Sequence, residues 1–254
     1  MTVSQLYQFL EAKISRSLSC EWDNDGLMCC PDPTREVRRV LLALDITEAI
    51  VDIAVEKDCD VILSHHPLVF HPVKALTPDD GVSRKLIRLV QNGICAMSFH
   101  TRLDAVEGGV NDALAAALGL QNVCAFGPEG EKMGRVGTLA APKSLDDFAE
   151  QVKTALEAPF VLVSGTGEVS RVAVLGGEGD DFIGEAVACG ADVLVSGRLG
   201  YHPMTDAPEC GIALIEAGHY YTERPVLSAL AEMVRAADGG VETIFAESGN
   251  IRAK

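Results

Sequence analysis

Two histidine–carboxylate pairs of identical spacing stand in the two halves of this 254-residue sequence, His100 with Asp104 in FHTRLD and His219 with Glu223 in GHYYTE. The adjacent His65 and His66 close the apolar run VILS in the first half only. Five or six ligand-type residues just beyond apolar strands point to a dinuclear metal centre. Imidazole and carboxylate together suit borderline divalent metals such as zinc, iron, manganese or nickel, whereas calcium and magnesium sites are mostly oxygen. Two cations ~3.5–4 Å apart need a bridging carboxylate or hydroxide, and the two acids supply candidates. Water bound at such a centre acidifies toward a pKa of ~7, which yields a nucleophile at neutral pH without a serine or cysteine.

Each of these residues also has a plainer use. His71 and His202 read as hydrogen-bonded structural histidines. For His65 and His66 the balance reverses, because two polar rings between VILS and the apolar LVF are costly to bury without partners. Neighbours in a regular strand point to opposite faces, so both rings serve one site only if the strand has ended; Pro67, which cannot continue a central ladder, supports that. Asp104 and Glu223 also suit the N-terminal ends of the helical stretches Val110–Leu118 and Pro225–Val234, a role compatible with ligation. Competing motifs fail: Gly176-Gly177-Glu178-Gly179 has neither dinucleotide-loop nor Walker spacing, and no Gly-x-Ser-x-Gly elbow occurs. Tyr220 and Tyr221 line a pocket or fill space.

The elements that position these residues alternate between short apolar runs and helix-period stretches, the pattern of an α/β protein with mostly parallel strands. Strands are predicted at Val40–Leu44, Val61–Ser64, Ile94–Phe99, Val136–Ala140, Phe160–Ser164, Val172–Leu175, Val193–Ser196 and Ile212–Glu216. Thr47 and Ser144 are suited to cap helices, and Gly93 and Gly190 to stop them. The two halves repeat, with CDVILS and ADVLVS 132 residues apart and the NGI and CGI turns 118 apart. The expected architecture is therefore two similar α/β domains from an internal duplication. The Gly, Pro and charge of Phe126–Glu131 place the boundary there, giving domains 1–127 and 128–254. In such sheets ligands bind beyond the carboxyl ends of the strands, where all the candidate residues fall.

Composition narrows the function. With 37 acidic against 21 basic residues the formal charge is −16, which opposes nucleic acid and anionic membrane surfaces. Arg35, Arg38 and Arg39 form a close basic grouping. The opening MTVSQLYQFLEAKISRSL reads as an amphipathic helix with Leu6, Phe9, Leu10, Ile14 and Leu18 on one stripe, not as a signal peptide, and no run is long enough to span a membrane. Eight cysteines lack any CxxC pair, which suggests a reducing cytoplasm, with Cys59, Cys95 and Cys189 as core fillers and Cys29-Cys30 a weak soft-metal signal.

EWDNDGL, LALD, DVILSHHPLVF, FHTRLDAVEGGVNDALAAALGL, GRVGTLAAPKSL, VLGGEGDDFI and AGHYYTERPVLSAL together resemble the Nif-three-like dinuclear-metal-centre family, also known as GTP cyclohydrolase I type 2. The likeness covers nearly the whole chain. It implies two metal ions per subunit held by His65, His66, Asp104, His219 and Glu223, with His100 close by. It further implies two similar domains facing each other across the site, and assembly into a homohexameric ring. One departure stands out: Ser196-Gly197-Arg198 places a base where the family usually has an acid.

The resulting expectation is a metal-dependent hydrolase of a small substrate, with purine ring opening of GTP as the candidate reaction and His100 moving the proton. The alternative is a metal-binding, metal-delivery or regulatory protein whose site is not catalytic.

Overall fold

The structure, a computed structural model, describes residues 1–248 and Ile251. It divides into two compact units. The first comprises Met1–Leu103 and the described residues from Leu227 on; the second is Asp104–Val226.

The first unit carries α1 (Val3–Lys13), β1 (Gly26–Cys29), β2 (Arg39–Ala43), α2 (Glu48–Glu56), β3 (Val61–Ser64), α3 (Gly81–Asn92), β4 (Cys95–Ser98) and the start of α4 (Thr101–Ala105). The second carries α5 (Val110–Ala117), β5 (Gln121–Phe126), β6 (Gly134–Ser144), α6 (Leu145–Ala155), β7 (Leu162–Ser164), β8 (Glu168–Glu178), α7 (Ile183–Ala188), β9 (Val193–Arg198), α8 (Tyr201–Asp206), β10 (Ala213–Glu216) and α9 (His219–Glu223). The chain then re-enters the first unit through α10 (Val226–Ala237) and β11 (Glu242–Phe245). Capping follows the sequence: Thr47 and Ser144 accept from the Ile50 and Asp147 N–H groups, and Gly93 stops α3 at φ 66°. The first helix buries Leu6 and Leu10 and ends sooner than its stripe suggests, leaving Leu18 in a separate turn and 40% exposed.

The strand order is β1-β4-β3-β2-β11 in the first sheet and β5-β6-β8-β9-β10-β7 in the second. In both units three neighbouring parallel strands end on an antiparallel edge strand, so β1 to β4 match β7 to β10. The ladders fix the correspondence. Val40 pairs Val61 and Val61 pairs Cys95, while Val172 pairs Val193 and Val193 pairs Ala213. The offsets of 132, 132 and 118 residues are those of the sequence repeat. Asp60 and Asp192 mark the same point in each copy: the Asp60 carboxylate accepts the Arg38 and Arg39 N–H groups at 2.7 and 3.1 Å, and Asp192 those of Ser170 and Arg171 at 2.8 and 2.7 Å.

The first sheet is mostly parallel, as expected, with β1 its antiparallel edge, whereas the second is mixed, because β5 and β6 form a hairpin on β8 and β7 runs against β10. The division at 127/128 moves to 103/104, with a return at 226/227. Phe126–Glu131 is the turn of the β5–β6 hairpin, and β11 pairs in parallel with β2 of the first sheet. Gly and Pro mark a tight turn equally well inside a domain and between domains.

Each unit has its own core. In the first, Leu41, Ala43, Ile62 and Ala96 pack with Ile50, Val51, Ala54 and Leu89 of α2 and α3. The alternate residues Val40, Leu42, Val61 and Leu63 are also fully buried, so both faces of this sheet are covered. In the second, Val172, Val174, Val193 and Val195 pack with Leu114, Phe148 and Val152.

Candidate metal centre

In the first unit β3 ends at Ser64, and the chain turns. Ser64 Oγ donates to the His66 carbonyl at 2.8 Å, and the His66 N–H donates to the Leu44 carbonyl at 2.8 Å. This turn lets adjacent histidines face one place: the His65 and His66 ring centroids are 4.8 Å apart, and the His100 ring lies 5.3 and 5.6 Å from them. Ligand atoms of all three lie within 4.8 Å of one another.

Every one of these rings uses Nδ1 on an oxygen acceptor: the Phe99 carbonyl for His65 at 3.0 Å, Asp45 Oδ1 for His66 at 2.8 Å, and Asp23 Oδ1 for His100 at 2.9 Å. An acceptor at Nδ1 places the proton there and leaves Nε2 with its lone pair, the tautomer that ligates metals. Carboxylate or carbonyl behind imidazole is the supporting arrangement that metal-binding histidines use.

Asp23 is more than a neighbour. Its fully buried carboxylate also accepts the Thr101 N–H at 3.0 Å and Thr101 Oγ1 at 2.6 Å. Burial pulls its pKa upward, but the hydrogen bonds from His100 and Thr101 outweigh that and hold it at about 2. Beneath it, Asp25 Oδ2 accepts the His100 N–H at 3.1 Å and Arg102 Nε at 2.8 Å. Arg102 is wholly buried, pairs again with Glu11 at 2.6 Å and stacks 4.6 Å from the Phe99 ring, so the segment carrying His100 rests on a neutralised charge network.

In the second unit His219 and Glu223 lie one turn apart on α9, with His219 Nε2 3.0 Å from Glu223 Oε1. Glu223 is buried, and the end of β8 shapes itself around it. A Cβ on Gly177, where φ is +71°, would stand 2.7 Å from Glu223 Oε1, and one on Gly176 would stand 3.3 Å from Glu223 Cγ. Asn111, fully buried, accepts the Gly176 N–H at 2.7 Å and donates to the Asp104 carbonyl at 3.2 Å. The half-buried Asp104 lies within α4 and Glu223 closes α9, so neither occupies the N-terminal end of α5 or α10.

The duplication explains why the histidine pair occurs once. By the 132-residue offset His65 and His66 correspond to Gly197 and Arg198. A Cβ at Gly197 would lie 2.6 Å from Thr222 Oγ1 and 2.7 Å from both the Gly177 carbonyl and His219 Cα. No side chain fits there because α9 packs directly on the strand end. The unusual Arg198 is 70% exposed and only 3.8 Å from Glu178, a loose surface pair.

The expected residues thus fall into a histidine triad in one unit and a histidine–glutamate turn in the other, with Asp104 on α4. His71 and His202 are exposed, not hydrogen-bonded in the interior. Among the described residues no group of three metal-binding side chains includes Cys29 or Cys30. Cys59 and Cys95 are buried, and that burial pushes their thiols up to about 11 and about 12; Cys189 is only half-buried. Asp23, Asp45, Asn111 and the Gly176-Gly177 pair escaped sequence reasoning. Asp45 ending LLALD and Asp23 in EWDNDGL were the available signals.

A mixed α/β chain with a cluster of histidines able to hold a metal ion beyond its strand ends defines the class. The sequence matches the family model Duf34/NIF3 (NGG1p interacting factor 3) over residues 1–250, and the chain belongs to that family. It is 32% identical over 254 residues to the GTP cyclohydrolase 1 type 2 homolog of Clostridium perfringens, covering 97% of each chain. Among solved structures it is similar to the Staphylococcus aureus protein SA1388, at a TM-score of 0.90 and 27% identity over 100% of this chain and 99% of that one. It is also similar to reduced HcgD from Methanocaldococcus jannaschii, at 0.82 and 30% over 96% and 97%.

Proposed function

We propose that this chain is a metal-dependent hydrolase of a small substrate, with two divalent cations held by His65, His66, Asp104, His219 and Glu223. The observation that carries the reading is the shared geometry: Asp45 and the Phe99 carbonyl engage Nδ1 of His66 and His65, which favours the tautomer in which Nε2 would serve as a metal ligand. Two imidazole-rich groups with acidic oxygens fit zinc, iron, manganese or nickel. Such cations, when bound, supply Lewis acidity and an acidified water.

His100, held by Asp23, takes and returns the proton, and its Asp25-anchored backbone keeps the ring in place. The candidate substrate is GTP, as the names of curated relatives suggest, and the candidate reaction is opening of its purine ring at C8. A hexameric assembly follows the family resemblance, and a reducing cytoplasm accords with eight free cysteines.

The test is metal analysis of protein purified without added metal, followed by a hydrolysis screen that begins with GTP. About two ions per chain and turnover that falls on chelation are expected. Retained metal with no turnover of any nucleotide or small ester would favour the second reading, a metal-binding or regulatory protein, to which the family description as an interacting factor points.

A further inference from the structure

The rim of the histidine triad indicates what the site takes, an inference that rests on the hydrolase reading for the role of the triad itself. Trp22, the only tryptophan in the sequence, is 64% exposed, and Phe70 is 40% exposed. Large aromatic rings left in water on anchored backbone are surfaces awaiting a partner. Both are anchored. The residue after Trp22 is Asp23, locked to His100 and Thr101, and Asn24 Nδ2 donates to the Val69 carbonyl at 2.5 Å, which ties the Trp22 segment to the residue preceding Phe70.

The two rings stand 6.2 Å apart, tilted by 57°. The His100 imidazole lies 6.2 Å from Trp22 and 6.4 Å from Phe70, with its plane roughly perpendicular to each. At this separation and tilt they do not sandwich a third ring between them; they form a partly exposed aromatic corner. The corner lies beside His100, the group assigned to proton transfer. We propose that Trp22 and Phe70 form the subsite for a planar heteroaromatic ring of the substrate, holding that ring against His100.

Because Trp22 is the sole tryptophan, its fluorescence reports directly from the subsite. The full chain, loaded with zinc, is titrated with guanosine, adenosine and, as a ring-free control, ribose 5-phosphate. Saturable quenching by both nucleosides and none by ribose 5-phosphate is expected. Phe70→Leu, read by the same fluorescence, and Trp22→Leu, read by calorimetry, each weaken nucleoside binding roughly tenfold, the usual scale for loss of one base-stacking ring. Both variants should keep wild-type zinc content and circular dichroism.

Unchanged nucleoside affinity in both variants, quenching by ribose 5-phosphate as deep as by guanosine, or no binding of either nucleoside would overturn the subsite. A change in oligomeric state of Trp22→Leu with nucleoside affinity intact would also overturn it, assigning the rings to contact between copies. These readouts do not depend on turnover: nucleoside binding without hydrolysis sinks the hydrolase reading and leaves the subsite standing, whereas hydrolysis of a ring-free substrate untouched by Trp22→Leu does the reverse.

Discussion

Asp23 Oδ1 holds His100 Nδ1 at 2.9 Å while its other oxygen is bound twice by Thr101, so one buried carboxylate fixes both the ring of His100 and the backbone that follows it. Its pKa of about 2 keeps it ionised throughout the neutral range. Asp23→Asn preserves the shape and removes the charge that selects the tautomer. We predict a fall in kcat of roughly 10²-fold or more, the scale of a general acid–base contribution, with metal content and KM nearly unchanged. Steady-state kinetics on GTP alongside metal analysis checks this, and a loss of metal equal to the loss of rate would reassign the pair to metal binding.

The division between ligand and proton carrier is tested by paired alanine variants. His65 is fully buried, with Nδ1 on the Phe99 carbonyl, whereas His100 is half-buried and backed by a carboxylate. His65→Ala is expected to lose at least about one of two ions per chain while remaining folded by circular dichroism. His100→Ala should retain its metal and lose turnover. Equal metal loss in both variants would place His100 among the ligands.

How much of this was legible depended on where the signal resided. β3 and β9 announce themselves as continuous apolar runs, because strands covered on both faces need no polar alternation. The short strands β1, β5 and β11 do not. Each lies at a sheet edge, and β5 exposes every residue but Phe126, so their pairing is set by the neighbour they lie against rather than by their own pattern. The histidines were found because two spaced pairs and one doublet are rare combinations. Asp23 and Asp45 were not, since their distances to His100 and His66 are 77 and 21 residues and no fixed spacing links a supporting carboxylate to the imidazole it holds.

The glycines at the end of β8 offer a prediction that needs no substrate. Gly177 has φ +71°, and a methyl group there would lie 2.7 Å from Glu223 Oε1. Gly177→Ala therefore strains the backbone and displaces the carboxylate together. A destabilisation of roughly 1–3 kcal/mol is expected from overpacking, together with reduced metal retention. Gly167→Ala is the control: its φ of +128° is also unfavourable, but its Cβ meets nothing within 4 Å. If the two variants retain metal equally, close approach to Glu223 is not what Gly177 provides.

Asp60 supplies the pH dependence. Its fully buried carboxylate accepts Arg35 Nε at 2.8 Å as well as the two N–H groups at the start of β2. Burial pushes its pKa up, but the backbone and Arg35 hydrogen bonds outweigh that, and the folded value is lowered. A group whose folded pKa lies below its unfolded value of about 3.9 stabilises the fold above that pH, and the contribution disappears as pH falls through the folded value. Acid unfolding should therefore steepen below about pH 4. Asp60→Asn is expected to cost roughly 1–3 kcal/mol at neutral pH, the range for a buried hydrogen-bonding group whose partners are left poorly satisfied, and to flatten stability across that acid window. Urea titrations at pH 7 and in steps below pH 4 measure both effects. A variant whose stability tracks the wild type in parallel through the acid range would show that Asp60 is not the group responsible.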